Sequence, residues 1–327
     1  MPELGKGVAT APWWRQIDVS DWRELQIEPG GSMSVRWLEN PETGDGWLHK
    51  YTTVPDTGIE QGEDWAEAIA TQVAVMLGVP CALVSLCTRH GMRGSLSRDL
   101  RLRGYSFWPA NVWLYGRATG YVPQKEGAPG VDPGRPGVRR PGHTLKNFCH
   151  ALSETAVPPD FRGEATNGFD VLAGYFVLDA LVANRDRHTE NWAVLEPQVG
   201  SDPTMLAPSF DHGGSLGFNV KDEDRRRFLD ESRVESWVRK GTAHRLEHTV
   251  GQRRPTLVEA AGTALALASP AARAWWRGQV DNLDLSSVLD VVREGRVAAM
   301  SDLARTFAIE SLTLNLERLR HVLGTVD

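Results

Sequence analysis

Three oxygen-bearing side chains, Asp186, Asn191 and Asp211, have the types and spacing of a magnesium–phosphate site. Carboxylate and amide oxygens are ligands that the hard Mg²⁺ ion prefers. Phosphoryl transfer from ATP needs that ion, and it needs a carboxylate that orients the attacking hydroxyl and accepts its proton. In protein kinases the base and a metal-binding Asn lie five residues apart, and a metal-binding Asp precedes a glycine one strand later. Asp186 and Asn191 have that spacing, and Asp211 follows 20 residues after Asn191.

The elements expected around these residues would position them in one region. Apolar residues at helical spacing predict a helix over 167–183, which leads into a polar loop. Two short β-prone runs, 192–195 and 205–210, come next, and the second leads into Asp211. The pattern therefore predicts that the three oxygen ligands lie at the ends of neighbouring elements.

A glycine-rich segment near the N-terminus is a candidate phosphate-binding loop. Gly30, Gly31 and Ser32 precede a β-prone run over 34–38. Successive backbone N–H groups in such a loop can form a concave nest that binds anions. An ordinary β-turn is the alternative for this segment.

Lys50 is a candidate ligand of the ATP phosphates. It lies on a second β-prone run, 47–51, so the two runs predict a strand hairpin. A helix predicted over 62–77 follows, and a carboxylate on that helix could hold the lysine in place. Glu67 and Glu63 lie one turn apart on the same helical face, so the choice between them stays open.

Two motifs in this sequence resemble those of a known family. The motif N-x-D-R-H-x-x-N-W at 184–192 and the motif D-H-G-G-S-L-G at 211–217 are similar to those of the HipA-like serine/threonine kinases of bacteria. These kinases share a catalytic core distantly with the phosphatidylinositol 3- and 4-kinases. The resemblance extends over about 32–323, with W-L-H-K at 47–50 and G-E-D-W-A-E-A-I-A at 62–70 as further matches.

The resemblance implies a role for each residue of the two motifs. It makes Asp186 the general base for the acceptor hydroxyl and His188 a residue that buttresses the loop. It makes Asn191 and Asp211 the magnesium ligands, with ATP as the phosphate donor. Glu67 matches the family position of the carboxylate that pairs with the phosphate-binding lysine.

The resemblance also implies an acceptor, a mode of regulation and partners. A serine or threonine of a protein is the expected acceptor, and an antitoxin or another regulatory protein is a candidate partner. Some members are silenced by autophosphorylation in the glycine-rich loop, so Ser32 and Ser34 are candidate regulatory sites. A phosphate there would add negative charge where the ATP phosphates must bind.

The order of elements predicts an α+β, two-lobed, protein-kinase-like fold. The N-lobe, 1–105, is expected to be β-rich with one main helix. The C-lobe, 106–327, is expected to be mostly helical, with four or five helices after Arg225. The stretch 121–143 holds five prolines and five glycines, so it is expected to be an irregular insertion, either a solvated loop or one that contacts substrate.

Composition and charge exclude few classes but favour a cytoplasmic protein. Hydrophobic residues make up 41% and charged residues 24% of the chain, with a net charge of −6, which disfavours broad binding to nucleic acid or an anionic membrane. The longest largely apolar stretch, 73–86, is shorter than the roughly 20 residues that a membrane span needs. Three cysteines without a C-x-x-C pair fit a reducing compartment.

Two other functions remain open from the sequence. One is a nucleotide-binding pseudokinase or scaffold that transfers no phosphate. The other is a metal-dependent phosphoesterase, because Asp186 and His188 form a D-x-H and Asp211 with His212 could add metal ligands. A small-molecule acceptor also remains open for a kinase.

Overall fold

The computed structural model describes residues 12–27, 35–56, 58, 60–123 and 131–324. The first part is a curled sheet packed against one long helix, made of β1 Ile17–Asp18, β2 Arg23–Ile27, β3 Val35–Glu39, β4 Gly46–Tyr51, α1 Glu63–Leu77, β5 Val84–Arg89 and β6 Met92–Arg98. The strands lie in the order β1-β5-β6-β4-β3-β2. β1 and β5 are parallel, and the other neighbours are antiparallel.

The predicted hairpin around Lys50 is confirmed as β3 and β4. Val35 pairs with Lys50 and Glu39 pairs with Gly46, so the hairpin is in register from end to end. In the connecting turn Gly44 has a φ of 74°, which a residue with a side chain would adopt only with strain. The hairpin places Lys50 one residue before the end of β4. Its partner Val35 is the first residue that the structure describes after the glycine-rich segment.

Helix α1 is confirmed within one residue of its predicted start. Its apolar residues at helical spacing, among them Trp65, Ile69 and Val73, are buried against the core. The helix ends at Gly78, whose φ of 80° is the left-handed conformation that terminates many helices.

The second part of the chain is mostly helical. Its elements are β7 Tyr105–Pro109, α2 Ala110–Trp113, β8 Val138–Arg139, α3 Leu145–Ala151, α4 Gly168–Leu181, β9 Ala193–Pro197, β10 Met205–Leu206, α5 Asp222–Asp230, α6 Val234–Arg239, β11 His248–Thr249, α7 Leu257–Leu267, α8 Pro270–Asn282, α9 Ser286–Arg293 and α10 Asp302–Gly324. β7, β9 and β10 form a small antiparallel sheet, and β8 pairs with β11 in a two-stranded ribbon.

Five of the described helices, α6 to α10, begin after Arg225, in agreement with the predicted four or five, and α5 spans Arg225 itself. The boundaries between these helices differ in their sequence signals. Ser232, between α5 and α6, takes a left-handed φ of 53° without being a glycine. Ala268 separates α7 from α8, which begins at Pro270 after the N-cap Ser269. Helices of six to nine residues also show too few turns for a clear period.

Helix α4 is the centre of the fold, and every one of its residues is buried. Asn167 caps its start by accepting a hydrogen bond from the backbone N–H of Asp170, 3.2 Å away. Trp276 donates its indole N–H to the carbonyl of Asp170, and its ring fills the space beside Gly174 that a side chain would occupy. The predicted 167–183 helix is confirmed, and its C-terminal end leads directly into the 184–191 loop.

Two backbone hydrogen bonds connect the two parts of the fold close to Asp211. Ser209 donates its N–H to the carbonyl of Pro80, and Ala82 donates to the carbonyl of Ser209, at 2.8 Å each. The segment that follows α1 therefore lies against the chain that enters the 211–217 loop. In the described part of the chain, no helix combines the length and apolarity needed to cross a bilayer.

Candidate active site

A buried ion pair anchors the 184–191 loop to helix α4. Arg187, 4% exposed, donates to both carboxylate oxygens of Asp179 at 2.8 and 2.7 Å, and Asp179 is itself 2% exposed. Arg187 also donates to the carbonyl of Asn191 at 2.7 Å, and Asn184 donates to Asp179 at 2.8 Å. Burial lowers the pKa of Arg187, but the Asp179 carboxylate outweighs it and holds that pKa above its usual value. The buried charges are thus paired and hydrogen-bonded.

The anchored loop fixes the backbone on both sides of Asp186. The Asp186 N–H donates to Asn184 Oδ1 at 3.0 Å, and Asn191 Nδ2 donates to the Asp186 carbonyl at 2.8 Å. His188 Nδ1 accepts from the Glu190 N–H at 3.1 Å, so the ring proton of neutral His188 lies on Nε2, which is 3.8 Å from Asp186 Oδ2. The Asp186 side chain remains 39% exposed, with its carboxylate accessible to a ligand.

The 211–217 loop brings Asp211 into contact with Lys50. Asp211 has a φ of 58°, a left-handed conformation uncommon outside glycine, and Lys50 Nζ lies 2.8 Å from its Oδ2. Burial raises the pKa of Asp211, but the neighbouring Lys50 charge outweighs it, so the pKa lies below its ordinary value. Asp211 is therefore an ionised carboxylate at neutral pH, paired with a lysine from the other part of the fold.

Glu67 lies beside the 211–217 loop, whereas Glu63 is engaged elsewhere. Glu67 Oε1, in a side chain only 5% exposed, is 3.4 Å from His212 Nδ1, and His212 Nε2 shares a 2.7 Å hydrogen bond with Ser209 Oγ. Glu63 instead accepts from the backbone N–H and the hydroxyl of Thr53, at 2.7 Å each. Of the two helix residues, Glu67 is the one whose carboxylate contacts this loop, and its pairing with Lys50 stays a prediction.

The two loops are in direct contact at Gly214. A Cβ atom at Gly214 would lie 3.0 Å from Asp186 Cβ and 3.2 Å from Asn184 Oδ1, closer than side-chain atoms normally approach. His188, in the 184–191 loop, is close enough to both Asp186 and Asp211 for their charges to act on it. Burial lowers its pKa below the ordinary value, while Asp186 and Asp211 oppose that shift. The residues predicted at the two loops are thus brought to one place, with Lys50 beside them.

The oxygens of Asp211 and Asn191 are of the types that a magnesium ion prefers. Asp211 offers carboxylate oxygens, and because the amide nitrogen of Asn191 is hydrogen-bonded within the loop, its amide oxygen is left to accept a metal. Among the described residues no group of three or more His, Cys, Asp and Glu side chains could hold a metal ion. Mg²⁺ is usually bound through one or two carboxylates together with substrate phosphates and water, so a small donor set is suitable.

Sequence reasoning missed two arginines beside Asp186. Arg245 Nη2 forms an ion pair with Asp186 Oδ1, and the Arg245 carbonyl accepts a hydrogen bond from Nδ1 of the buried His143. Arg140 donates its Nε–H to the carbonyl of His244 at 3.2 Å. Arg140 directly follows β8, and Arg245 precedes β11 by three residues. They are far from Asp186 in the chain, and no motif or periodicity marks them.

The candidate residues of the glycine-rich segment, Gly30, Gly31, Ser32 and Ser34, lie outside the described residues. The same is true of 124–130 within the predicted insertion. The described remainder of that insertion is irregular apart from the two residues of β8.

Comparison with solved structures finds kinases. The chain is similar to the proinflammatory kinase CtkA of Helicobacter pylori, with a TM-score of 0.67 and 13% sequence identity over 96% of this chain and 100% of that one. It also matches HipA of Shewanella oneidensis, solved with HipB and operator DNA, with a TM-score of 0.46 and 10% identity over 94% of this chain and 68% of HipA. A third match is a MAP kinase of Leishmania major, with a TM-score of 0.26 and 13% identity over 93% of this chain and 82% of that one.

No protein-family model matches the chain, and no curated protein matches it by sequence. The similarity to CtkA shows that the chain has a two-lobed, kinase-like α+β fold, as predicted.

Proposed function

We propose that this protein is an ATP- and Mg²⁺-dependent phosphotransferase that transfers the γ-phosphate of ATP to a hydroxyl group, that of a serine or threonine in a protein. The observation that carries this proposal is the ion pair between Lys50 Nζ and Asp211 Oδ2, which are 2.8 Å apart. Asp211 belongs to the 211–217 loop, and that loop contacts the loop of Asp186 at Gly214. A kinase-like fold and this juxtaposition of a lysine, two carboxylates and an amide support the same chemistry.

Each side chain has a distinct task in the proposed reaction. Asp186 accepts the hydrogen bond of the acceptor hydroxyl, orients its oxygen towards the γ-phosphate and takes its proton. Lys50 binds phosphate oxygens of ATP, and Asp211 and Asn191 hold the magnesium ion. When bound, Mg²⁺ offsets the negative charge of the phosphates during transfer. His188 supports the loop by accepting the Glu190 N–H, and its Nε2, 3.8 Å from the Asp186 carboxylate, is too far for a direct hydrogen bond.

Regulation and partners rest on the resemblance of the sequence motifs. Inhibitory phosphorylation of Ser32 or Ser34, and binding of an antitoxin or another regulatory protein, are part of the proposal on that ground. Cytoplasmic residence is supported by the three cysteines, all of which are free thiols in the structure.

The test of the function is the Asp186→Asn variant. With labelled ATP and magnesium, we expect the rate of phosphate transfer to fall by about 10²- to 10⁴-fold, because the variant cannot take the hydroxyl proton. Nucleotide affinity should stay unchanged, whereas Asp211→Ala should lose magnesium-dependent nucleotide binding as well. Mass spectrometry of the protein and of a cell lysate identifies the phosphorylated residues. Transfer at the wild-type rate by Asp186→Asn would contradict the assignment.

A further inference from the structure

The surface around Asp186 carries more positive than negative charge. Arg245 pairs with Asp186, and Arg140 lies near both residues. Burial and the Arg245 charge lower the pKa of Arg140, while the Asp186 carboxylate opposes that shift. Arg185 adds a third guanidinium, because it acts together with these two arginines to lower the pKa of nearby His244, after the larger effect of burial. The acids nearby are Asp186 itself, Asp211, which is paired with Lys50, and Glu190, which is 64% exposed. The three arginines and Lys50 therefore outnumber these carboxylates around the position at which the acceptor hydroxyl would bind.

Two of these arginines have donors without an acceptor. Arg245 Nε and Arg140 Nη1 are buried atoms that make no hydrogen bond among the described residues. A buried N–H without an acceptor is unfavourable, and more so where the group is charged. The Arg245 side chain is 29% exposed in all, so the rest of its guanidinium is within reach of a ligand that supplies acceptor oxygens.

Both arginines are held in place rather than extended into solvent. Arg140 adopts a left-handed φ of 56° and donates Nε–H to the carbonyl of His244. The backbone of Arg245 is fixed by the buried His143, whose ring also packs on Phe148 with centroids 4.6 Å apart. Held guanidinium groups bind carboxylate and phosphate oxygens with little further loss of side-chain entropy.

We propose that Arg140 and Arg245 form a specificity site for an anionic group next to the acceptor hydroxyl, so that the acceptor lies in an acidic or phosphorylated segment of a protein. This inference rests on the proposed function, because it concerns the acceptor of the same phosphate transfer. The site is a binding site for the segment that flanks the acceptor, whereas Asp186 acts on the hydroxyl itself.

The ion pair between Arg245 and Asp186 means that binding of an anion at this site also affects the proposed base. Asp186 is paired with Arg245 when no acceptor is present. An anionic segment competes for the guanidinium, and its arrival leaves an Asp186 oxygen available for the hydroxyl proton. The acceptor that carries the anion therefore prepares the base that acts on it, and a neutral acceptor does not.

The first test measures binding without transfer. Fluorescence anisotropy compares a labelled serine peptide flanked by glutamates with the same peptide carrying glutamines, in the absence of nucleotide. We expect the acidic peptide to bind at least about tenfold more tightly, and Arg140→Gln or Arg245→Gln to remove that difference, since 1.4 kcal/mol is a factor of ten. Arg139→Gln is the matched control, because Arg139 is the exposed neighbour of Arg140. Equal binding of the two peptides, or the same loss in the control, overturns the inference.

Further peptides identify the source of the anion. A peptide with phosphoserine in place of a glutamate should bind through the same two arginines. Whichever of the two peptides binds more tightly shows whether the preferred segment is phosphorylated or acidic. Arg140→Glu should shift the preference towards a peptide flanked by lysines. If a single-stranded RNA oligonucleotide binds in preference to the acidic peptides through these arginines, the inference of a protein segment is overturned.

The second test measures transfer and separates this inference from the proposed function. With ATP and magnesium, the acidic peptide should be phosphorylated with a kcat/KM about tenfold above that of the glutamine peptide, and the variants should lose that ratio. Equal kcat/KM for both peptides would leave the kinase function standing and overturn the specificity. If Arg245→Gln lowers kcat/KM equally for both peptides, Arg245 acts on the transferred phosphate, and the inferred specificity is overturned. Selective binding without transfer to any acceptor would contradict the proposed function and the acceptor role together.

Discussion

The same loop is held by two arginine–aspartate pairs that differ in their exposure to water. The inner pair, Arg187 with Asp179, is 4% and 2% exposed and has further hydrogen bonds to the loop. The outer pair, Arg245 with Asp186, is 29% and 39% exposed, and Arg245 Nε has no hydrogen-bond partner among the described residues. The residue types are identical, so burial and hydrogen bonding are what separate the two pairs.

The difference determines what each pair can do. Removing one partner of the inner pair leaves a charge that water cannot reach, so the inner pair holds the loop and has no alternative state. The outer pair can exchange its partner at little cost, because water and a ligand both have access to it. The inner pair is therefore structural, and the outer one is placed for binding.

Breaking the inner pair should have the largest effect on stability. We expect Arg187→Met to lower the free energy of unfolding by about 3–5 kcal/mol, because it leaves the Asp179 carboxylate buried and unpaired. Urea denaturation followed by circular dichroism measures the change. The double variant Asp179→Leu with Arg187→Met should recover part of the loss, since it removes both charges. A cost below about 1 kcal/mol for Arg187→Met would show that water reaches this pair.

Moving the outer carboxylate should affect phosphate transfer. We expect Gly214→Ala to reduce the transfer rate by about 10- to 100-fold, because its Cβ would lie 3.0 Å from Asp186 Cβ and push the two loops apart. Gly278→Ala is the control, since a Cβ there meets no atom within 4 Å. An unchanged rate in Gly214→Ala would mean that the loops separate without disturbing the proposed base.

Lowering the pH should destabilise the folded protein through His143, which holds the backbone of Arg245 in the outer pair. Burial lowers the pKa of His143 from 6.5 to about 3, with smaller contributions from Arg140, His188 and Arg245, while its hydrogen bond to the Arg245 carbonyl opposes the shift. The unfolded chain therefore binds a proton below pH 6.5 that the folded one does not. The stability associated with neutral His143 is complete above pH 6.5 and is lost as the pH falls towards 3.

The variant His143→Gln isolates this contribution. Glutamine can still donate to the Arg245 carbonyl but does not titrate. We expect the slope of unfolding free energy against pH between 4 and 6 to be smaller than that of the wild type by about 1.4 kcal/mol per pH unit. Urea denaturation at several pH values measures it. Identical slopes would mean that His143 is protonated in the folded protein.

Removing the outer arginine should have the smallest effect on stability. We expect Arg245→Gln to change the free energy of unfolding by no more than about 1 kcal/mol, because the pair is partly exposed. The urea experiment used for Arg187→Met gives a direct comparison of the two pairs. A cost near that of Arg187→Met would contradict the distinction between them.

The features that local sequence determines could be predicted. The β3–β4 hairpin, helix α1 and helix α4 each have their own periodicity and their own turn or cap residues, and the structure confirms all three. The motif residues of the two loops lie close together in the chain, so their spacing alone indicated a magnesium–phosphate site. The kinase-like fold followed from the order of the elements and from the resemblance of the motifs.

The remaining features depend on contacts between distant segments. Arg140 and His244, whose contact holds the ribbon end beside Asp186, are 104 residues apart in the chain. The sequence also does not distinguish Arg185, which is exposed, from Arg187, which is buried, because both stand in one polar run. Only the position of Asp179 on the buried helix shows which arginine points inward. The bounds of the short helices α5, α6 and α9 were not predicted, because their periods are incomplete.

The complete burial of α4 has a consequence for the timescales of motion at the candidate site. A helix with no exposed residue opens only in the rarest, near-global fluctuations, whereas a two-residue ribbon such as β8–β11 opens locally and often. Asp186 lies between the two, because its backbone continues from α4 and its side chain is paired with Arg245, three residues before β11. We therefore expect the backbone of Asp186 to keep its place over longer times than the ribbon next to its partner.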